Sequence, residues 1–223
     1  MRPGESLAAY IVRVGFLIAV LAVLVQTVAH LGNELVLDDR VEGLDADIEG
    51  NSFTWASSVA TFTVALAAAL HAAAFERQRR EFSVLAGLAV WFSLDDVAII
   101  HERVALKLGE DLLGMPDYLA VRLWLILYLP LLLLAGIVLW RIAQEAEPPA
   151  DHAVRFGLGL LVASIPVELA GAVTRRLVEK GHTDVPETFR VVIEEGLELG
   201  GWILIASGLT AILCSALMRT ATR

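Results

Sequence analysis

Two runs of acidic residues interrupt apolar stretches of this sequence, and both carry side chains that bind cations or protons. The first run, residues 92–104, reads FSLDDVAIIHERV, and the second, residues 194–198, reads EEGLE. The carboxylates of these runs are Asp95, Asp96, Glu102, Glu194, Glu195 and Glu198. Carboxylates with one or two imidazoles suit hard or borderline divalent cations, or protons alone, better than soft metals. The residue types therefore predict a divalent metal ion, another small cation or protons as ligand.

Helical spacing places most of these carboxylates on common faces. On one continuous helix, Asp95 and Glu102 lie within about 20° of each other, whereas His101 points to the other side. Glu194, Glu195 and Glu198 fit within an arc of roughly 100°. We therefore predict a metal or cation site formed by five residues, namely Asp95, Asp96, Glu102, Glu194 and Glu198. The predicted further members are His30, Glu34, His101, Glu168 and Glu195.

The composition indicates which elements must position these residues. The chain has 223 residues, of which 57% are hydrophobic, and soluble domains rarely exceed about half apolar. We expect a single all-α domain over residues 1–223, an integral membrane bundle of about six transmembrane helices. The predicted spans are residues 7–31, 53–75, 82–103, 118–140, 154–173 and 191–218. Each span is near the length that crosses a hydrocarbon layer of ~30 Å.

Charge in the connections predicts the orientation. The short connection 76–81, ERQRRE, is basic and is expected on the cytoplasmic side. The acidic connection at about 32–52 then lies outside, and both termini are cytoplasmic. The connection before the last span carries Arg175, Arg176, Lys180 and Arg190 and would lie outside, which conflicts with the charge rule.

In this topology the acids of four helices gather toward the outer side. A charged side chain at mid-bilayer costs at least ~2.5 kcal/mol, so the carboxylates must share protons, pair with arginines, face water or hold a cation. Arg103, Arg175 and Arg190 are candidate counter-charges.

Structural alternatives remain open for each acidic group. Ser93 and Asp96 resemble a capping box, so an apolar helix could end near Phe92 and a surface helix begin there. Residues 82–92 alone are too few to span, however. Residues 199–218 form a 20-residue apolar run, so the acids before it could lie at the interface near a helix N-terminus. Glu168 could form an ion pair with Arg175, seven residues on.

The segment Ser93, Leu94, Asp95, Asp96, His101 and Glu102 resembles the S-L-D-[DE]-x4-H-E motif of bacterial polytopic membrane proteins of unassigned function. The resemblance includes the E-E-x-x-E at Glu194, Glu195 and Glu198. It implies that these acids belong to one site, and it implies no activity or ligand.

The sequence favours a non-enzymatic function, namely binding or translocation of a cation or protons in the bacterial cytoplasmic membrane. One alternative is a metal-dependent membrane enzyme with carboxylate and histidine ligands. Another is a non-catalytic subunit of a membrane complex. The expected partners are the lipid bilayer and either copies of the same chain or a membrane subunit. A net charge of −9 argues against nucleic acid.

Overall fold

The described chain is helical apart from short connections. A computed structural model describes residues 5–38, 40–46, 50–120, 122–179 and 185–222, without the side chains of 117, 118, 172–179 and 185–187. The helices are α1 (Leu7–Leu37), α2 (Ser52–Ala74), α3 (Arg79–Ala98), α4 (Ile100–Leu113), α5 (Asp117–Ala120), α6 (Leu123–Glu145), α7 (Ala150–Glu179) and α8 (Val185–Ala221). Residues Glu42–Leu44 form one 3-10 turn. This confirms the all-helical prediction.

The number of long apolar helices also agrees with the sequence. Five of the described helices are long and apolar enough to cross a membrane, and a sixth span results if α3 and α4 count together. Side chains at helix starts satisfy the first backbone N–H groups, which have no partner inside the helix. Ser6 Oγ accepts from the Ala9 N–H of α1 at 3.2 Å. Asn51 Oδ1 accepts from the N–H groups of Phe53 and Thr54 of α2.

Ion pairs and hydrogen bonds identify the two ends of the bundle. Arg77, between α2 and α3, pairs with Glu145 of α6 at 3.1 Å, and Arg219 of α8 lies 3.5 Å from Glu147. We call this the Arg77 end. At the opposite end, the Glu34 carboxylate of α1 accepts from the Thr188 hydroxyl of α8 at 2.6 Å. We call this the His30 end, after the buried histidine one turn before Glu34.

The core of the bundle forms around α8, which packs against α1, α2 and α7. Its fully buried side chains include Val64, Phe82, Leu139, Ile142, Ile205 and Leu209. Glycines permit the closest helix approaches. A Cβ at Gly157 of α7 would lie 2.6 Å from the Gly201 carbonyl oxygen of α8, and one at Gly15 of α1 would overlap the Ser207 side chain.

The outer surface is apolar along much of the helix length. Leu21 and Val28 of α1 and Ile126 of α6 expose 62%, 68% and 68% of their surface. Apolar exposure this continuous is unusual for a water-soluble monomer and is typical of a surface that another apolar phase covers.

The third predicted span differs from the structure. Residues 82–103 were predicted as one helix, but α3 ends at Ala98 and α4 begins at Ile100, at an angle of 67°. Ile99 between them is left-handed, with φ 55°. The alternative end near Phe92 is also wrong, since α3 continues six residues beyond it. In addition, α1 continues to Leu37, six residues beyond its predicted end, which shortens the acidic connection.

Candidate functional site

A cavity of about 680 Å³ lies among α2, α3, α4, α6, α7 and α8. Eight of the ten predicted site residues line it: Asp95, Asp96, His101, Glu102, Glu168, Glu194, Glu195 and Glu198. They come from two consecutive helices, α3 and α4, and from α7 and α8, which are distant from them in the sequence. The structure thus brings all five residues of the predicted main site to one cavity.

The Asp95 carboxylate has three polar contacts. It is 4% exposed, and its Oδ1 accepts from the Tyr128 hydroxyl at 2.8 Å and from the His101 backbone N–H at 3.0 Å. Its Oδ2 lies 2.7 Å from Nδ1 of the His101 ring. The carboxylate therefore joins α3, α4 and α6, and it orients the histidine ring.

The predicted direction of His101 is therefore wrong. Helical phase placed His101 on the side opposite Asp95, whereas the two side chains are in direct contact. The reason is the 67° bend at Ile99, which ends α3 and starts a new helix with a different axis. Asp95 and Glu102 consequently do not share one helical face, although both reach the cavity.

Two arginines, one buried and one largely buried, neutralise two of the cavity's glutamates. Arg122 pairs with Glu168, and Arg190 pairs with Glu194. Arg190 also lies 3.8 Å from the second oxygen of Glu168, so the four residues form one network. The Arg190 counter-charge was among the predicted ones, whereas the Arg175 side chain lies outside the described residues. Arg103 is exposed and forms none of these pairs.

The negative charge of the remaining acids of the cavity is less well compensated by neighbouring groups. Within the described residues, neither Asp96 nor Glu102 makes a hydrogen bond or an ion pair. Glu198 accepts a hydrogen bond from Ser164 at 3.1 Å and pairs with no described arginine or lysine. The carboxylates of Glu194 and Asp96 are close enough to interact electrostatically with Glu198. These acids therefore give the cavity a negative character.

Aromatic side chains and a serine complete the lining. Phe92 and Trp202 lie with ring centroids 6.3 Å apart, and Trp124 contacts both His101 and Tyr128 edge to face. Ser57 lines the cavity at 4% exposure, and its buried hydroxyl has no hydrogen-bond partner among the described residues.

Sequence reasoning did not identify Tyr128, Arg122 or Ser57. Tyr128 carried a usable signal, because a lone phenol in the aliphatic run LWLILYLPLLLL needs a partner for its hydroxyl. Arg122 lies near the start of the predicted span 118–140, where an arginine is expected to reach the membrane interface, so the sequence does not indicate its pairing with Glu168. Ser57 carried no comparable signal.

His30 and Glu34 do not line the cavity. His30 is 3% exposed, and its Nδ1 accepts from the Ala46 N–H at 3.0 Å. Its Nε2 lies 3.8 Å from Glu34, and Asp45 lies 3.6 Å from Nδ1. This cluster attaches the connection after α1 to the bundle. It lies outside the cavity that contains the other predicted site residues.

The cavity offers carboxylates, an oriented imidazole and a phenol for proton exchange or cation binding. Among the described residues, no group of three or more His, Cys, Asp or Glu side chains has the arrangement of a metal site. The metal ligands assigned from the sequence stay a prediction.

The family model of a domain of unknown function (DUF8692) matches residues 13–213. The chain therefore belongs to this family, and the matched range includes every cavity residue named above. No curated protein and no solved structure matches the chain significantly.

Proposed function

We propose that this DUF8692 member is a multi-pass protein of the bacterial cytoplasmic membrane, and that its cavity binds and releases a cation or protons. The observation that carries the proposal is the pair Asp96 and Glu198, two carboxylates in one cavity without a described arginine or lysine partner. The apolar outer surface and the five or six long apolar helices support the membrane location.

The charge balance explains why such a cavity would attract a cation. Arg122 and Arg190 are already paired with Glu168 and Glu194, so they do not compensate the other acids. An uncompensated charge in a low-dielectric interior costs several kcal/mol. A bound cation or proton removes that cost, and the cavity therefore gains affinity for positive charge.

The distribution of basic residues supports an outward opening of the acidic part. Arg77, Arg79, Arg141 and Arg219 lie toward the Arg77 end, and basic connections favour the cytoplasmic side. Asp95 and Asp96 near the end of α3, with His101 and Glu102 at the start of α4, lie on the side away from the Arg77 end. The carboxylates would then face the extracytoplasmic side.

Flux through reconstituted protein tests this proposal. The purified chain in liposomes with an entrapped pH-sensitive dye should carry protons, or exchange protons for Na⁺, K⁺ or Mg²⁺. The double variant Asp96→Asn with Glu198→Gln should reduce the flux at least tenfold, because it removes both ionisable groups. Glu145→Gln is the matched control, since Glu145 is an exposed acid at the Arg77 end, and it should retain wild-type flux. Equal flux in all three proteins, together with no cation binding by calorimetry, would refute the proposal.

The contact of Asp95 with His101 favours a second candidate, a metal-dependent membrane enzyme. A carboxylate that holds Nδ1 of a histidine directs the other nitrogen toward a metal or a substrate. Metal analysis of the purified protein would separate the two functions. The enzyme requires a stoichiometric metal that Asp95→Asn removes, whereas a proton carrier contains little metal in either form.

A further inference from the structure

We infer that the ligand of the cavity is an amphiphilic organic cation, a protonated amine on a hydrocarbon body. This inference rests on the proposed function, because it names the class of cation that the acidic cavity takes. Four features of the cavity support it: its volume, its length, its aromatic side chains and the Ser57 hydroxyl.

The volume is much larger than an inorganic ion needs. A water molecule occupies ~30 Å³ in the liquid, so an ion with six waters fills roughly 200 Å³. The cavity has about 680 Å³, which lies within the ~300–1,000 Å³ of sites for organic ligands.

The cavity is also long, and its acidic and apolar side chains lie in different parts of the lining. Its lining on α6 extends from Trp124 to Gln144, and 20 residues of helix span ~30 Å. Along this wall, Leu129, Leu133 and Ile137 present apolar side chains over its middle part, before Arg141 and Gln144 at its far end. The carboxylates of α3 and α4 lie toward one end only. A ligand that matches both parts has a positive head and an apolar body.

Aromatic rings near the acids favour an organic ammonium group over a metal ion. Phe92 and Trp202 line the cavity together with Asp96 and Glu198. A ring face attracts an organic cation by ~0.5–2 kcal/mol, and carboxylates accept its N–H hydrogen bonds.

Ser57 supplies an independent indication of a ligand. Its buried hydroxyl lacks a hydrogen-bond partner in the described structure, and an unsatisfied buried hydroxyl is costly. An N–H of the ligand's ammonium group would satisfy it by donating to the hydroxyl oxygen. The Ser57→Ala variant therefore tests a contact that is separate from those of the carboxylates.

Calorimetric titration of the full chain in phosphatidylcholine nanodiscs tests the inference with four probes. Hexylammonium has both charge and body, methylammonium lacks the body, 1-hexanol lacks the charge, and Mg²⁺ represents an inorganic ion. We expect saturable 1:1 binding of hexylammonium, at least tenfold tighter than that of any other probe. Asp96→Asn with Glu198→Gln should weaken hexylammonium binding at least tenfold and Ser57→Ala about threefold, with Glu145→Gln unchanged.

The outcomes separate this inference from the proposed function. Mg²⁺ or methylammonium binding as tightly as hexylammonium would overturn the inference and leave cation binding intact. Equal binding of 1-hexanol would overturn it as well, since charge would be irrelevant. No binding of any cation, with no proton flux, would overturn both. The comparison of the four probes on the wild-type protein tests the inferred ligand class even if the double variant does not fold.

A further arm identifies the source of the amine. Phosphatidylethanolamine added to the nanodiscs should displace hexylammonium if the natural ligand is an aminophospholipid. If hexylammonium binding is unchanged by this lipid, a free alkylamine is the ligand. Either result agrees with a primary ammonium group on an apolar body.

Discussion

At the scale of single residues, Asp95 connects three helices through one carboxylate. It accepts from the Tyr128 hydroxyl and the His101 backbone, and it contacts the His101 ring. Removing an acceptor leaves each buried donor with a desolvation cost of ~1–3 kcal/mol. The residue is therefore important for stability whatever the ligand of the cavity.

Replacing Asp95 by a residue of similar size should expose this role. Asp95→Leu should lower the free energy of unfolding by about 3 kcal/mol, because the Tyr128 hydroxyl and the His101 N–H lose their acceptor. Tyr128→Phe should lower it by about 1.5 kcal/mol, since only one bond to a charged group is lost. Denaturant titration in detergent, followed by tryptophan fluorescence, measures both. The neighbouring, exposed Leu94 provides the control, and Leu94→Ala should change stability by less than about 0.5 kcal/mol. A wild-type midpoint for Asp95→Leu would contradict the assigned role.

Residue types predicted much of the cavity, because an acid inside an apolar run has few stable environments. Asp95, Asp96, Glu194 and Glu198 were assigned in this way, and all of them line the cavity. The partners were harder to identify. Arg122 lies 46 residues from Glu168, and no local pattern relates the two. His30 and Glu34 have a spacing that suits a site, but His30 binds the connection after α1 and Glu34 binds Thr188 of α8 instead.

At the scale of elements, the break at Ile99 determines the shape of the site. A left-handed backbone at a β-branched residue is strained, and the sequence VAIIHER has no glycine or proline to mark a bend. The break depends on tertiary contacts such as those of Asp95, which sequence periodicity does not reveal. For the same reason, helical phase gave a wrong direction for His101.

Close packing of α1 on α8 provides a test at this scale. Gly15→Ala should lower the thermal midpoint by roughly 2–10 °C, because the added methyl group overlaps the Ser207 side chain and overpacking costs ~1–3 kcal/mol. The control is Gly159→Ala in α7, where an added Cβ meets no atom within 4 Å. That variant should be stabilised slightly, since alanine favours helix over glycine by ~1 kcal/mol. Thermal unfolding of both proteins in the same detergent gives the comparison. Equal thermal midpoints for the two variants would contradict close packing of α1 on α8 at Gly15.

At the scale of the whole molecule, the two ends differ in charge, and the proposed orientation follows from this difference. Single cysteines in a Cys214→Ser background test it with an impermeant maleimide on intact cells. Glu42→Cys, in the connection after α1, should be labelled, and Glu76→Cys, between α2 and α3, should not. Both positions are exposed, so access depends on the side of the membrane. Labelling of Glu76→Cys alone would contradict the proposed orientation. It would indicate that the acids of the cavity face the cytoplasm.

The packing of α1 against α8 also has a consequence for biosynthesis. The first helix has its main contacts with the last, and about 150 residues separate the end of one from the start of the other. At ~5–20 residues per second, a ribosome needs roughly 8–30 s to produce the partner of α1. During that interval α1 must persist without its main packing partner. Its composition suits this requirement, because its most apolar 18-residue segment has a mean hydropathy of 2.5 and only 11% of that segment is buried even in the complete fold.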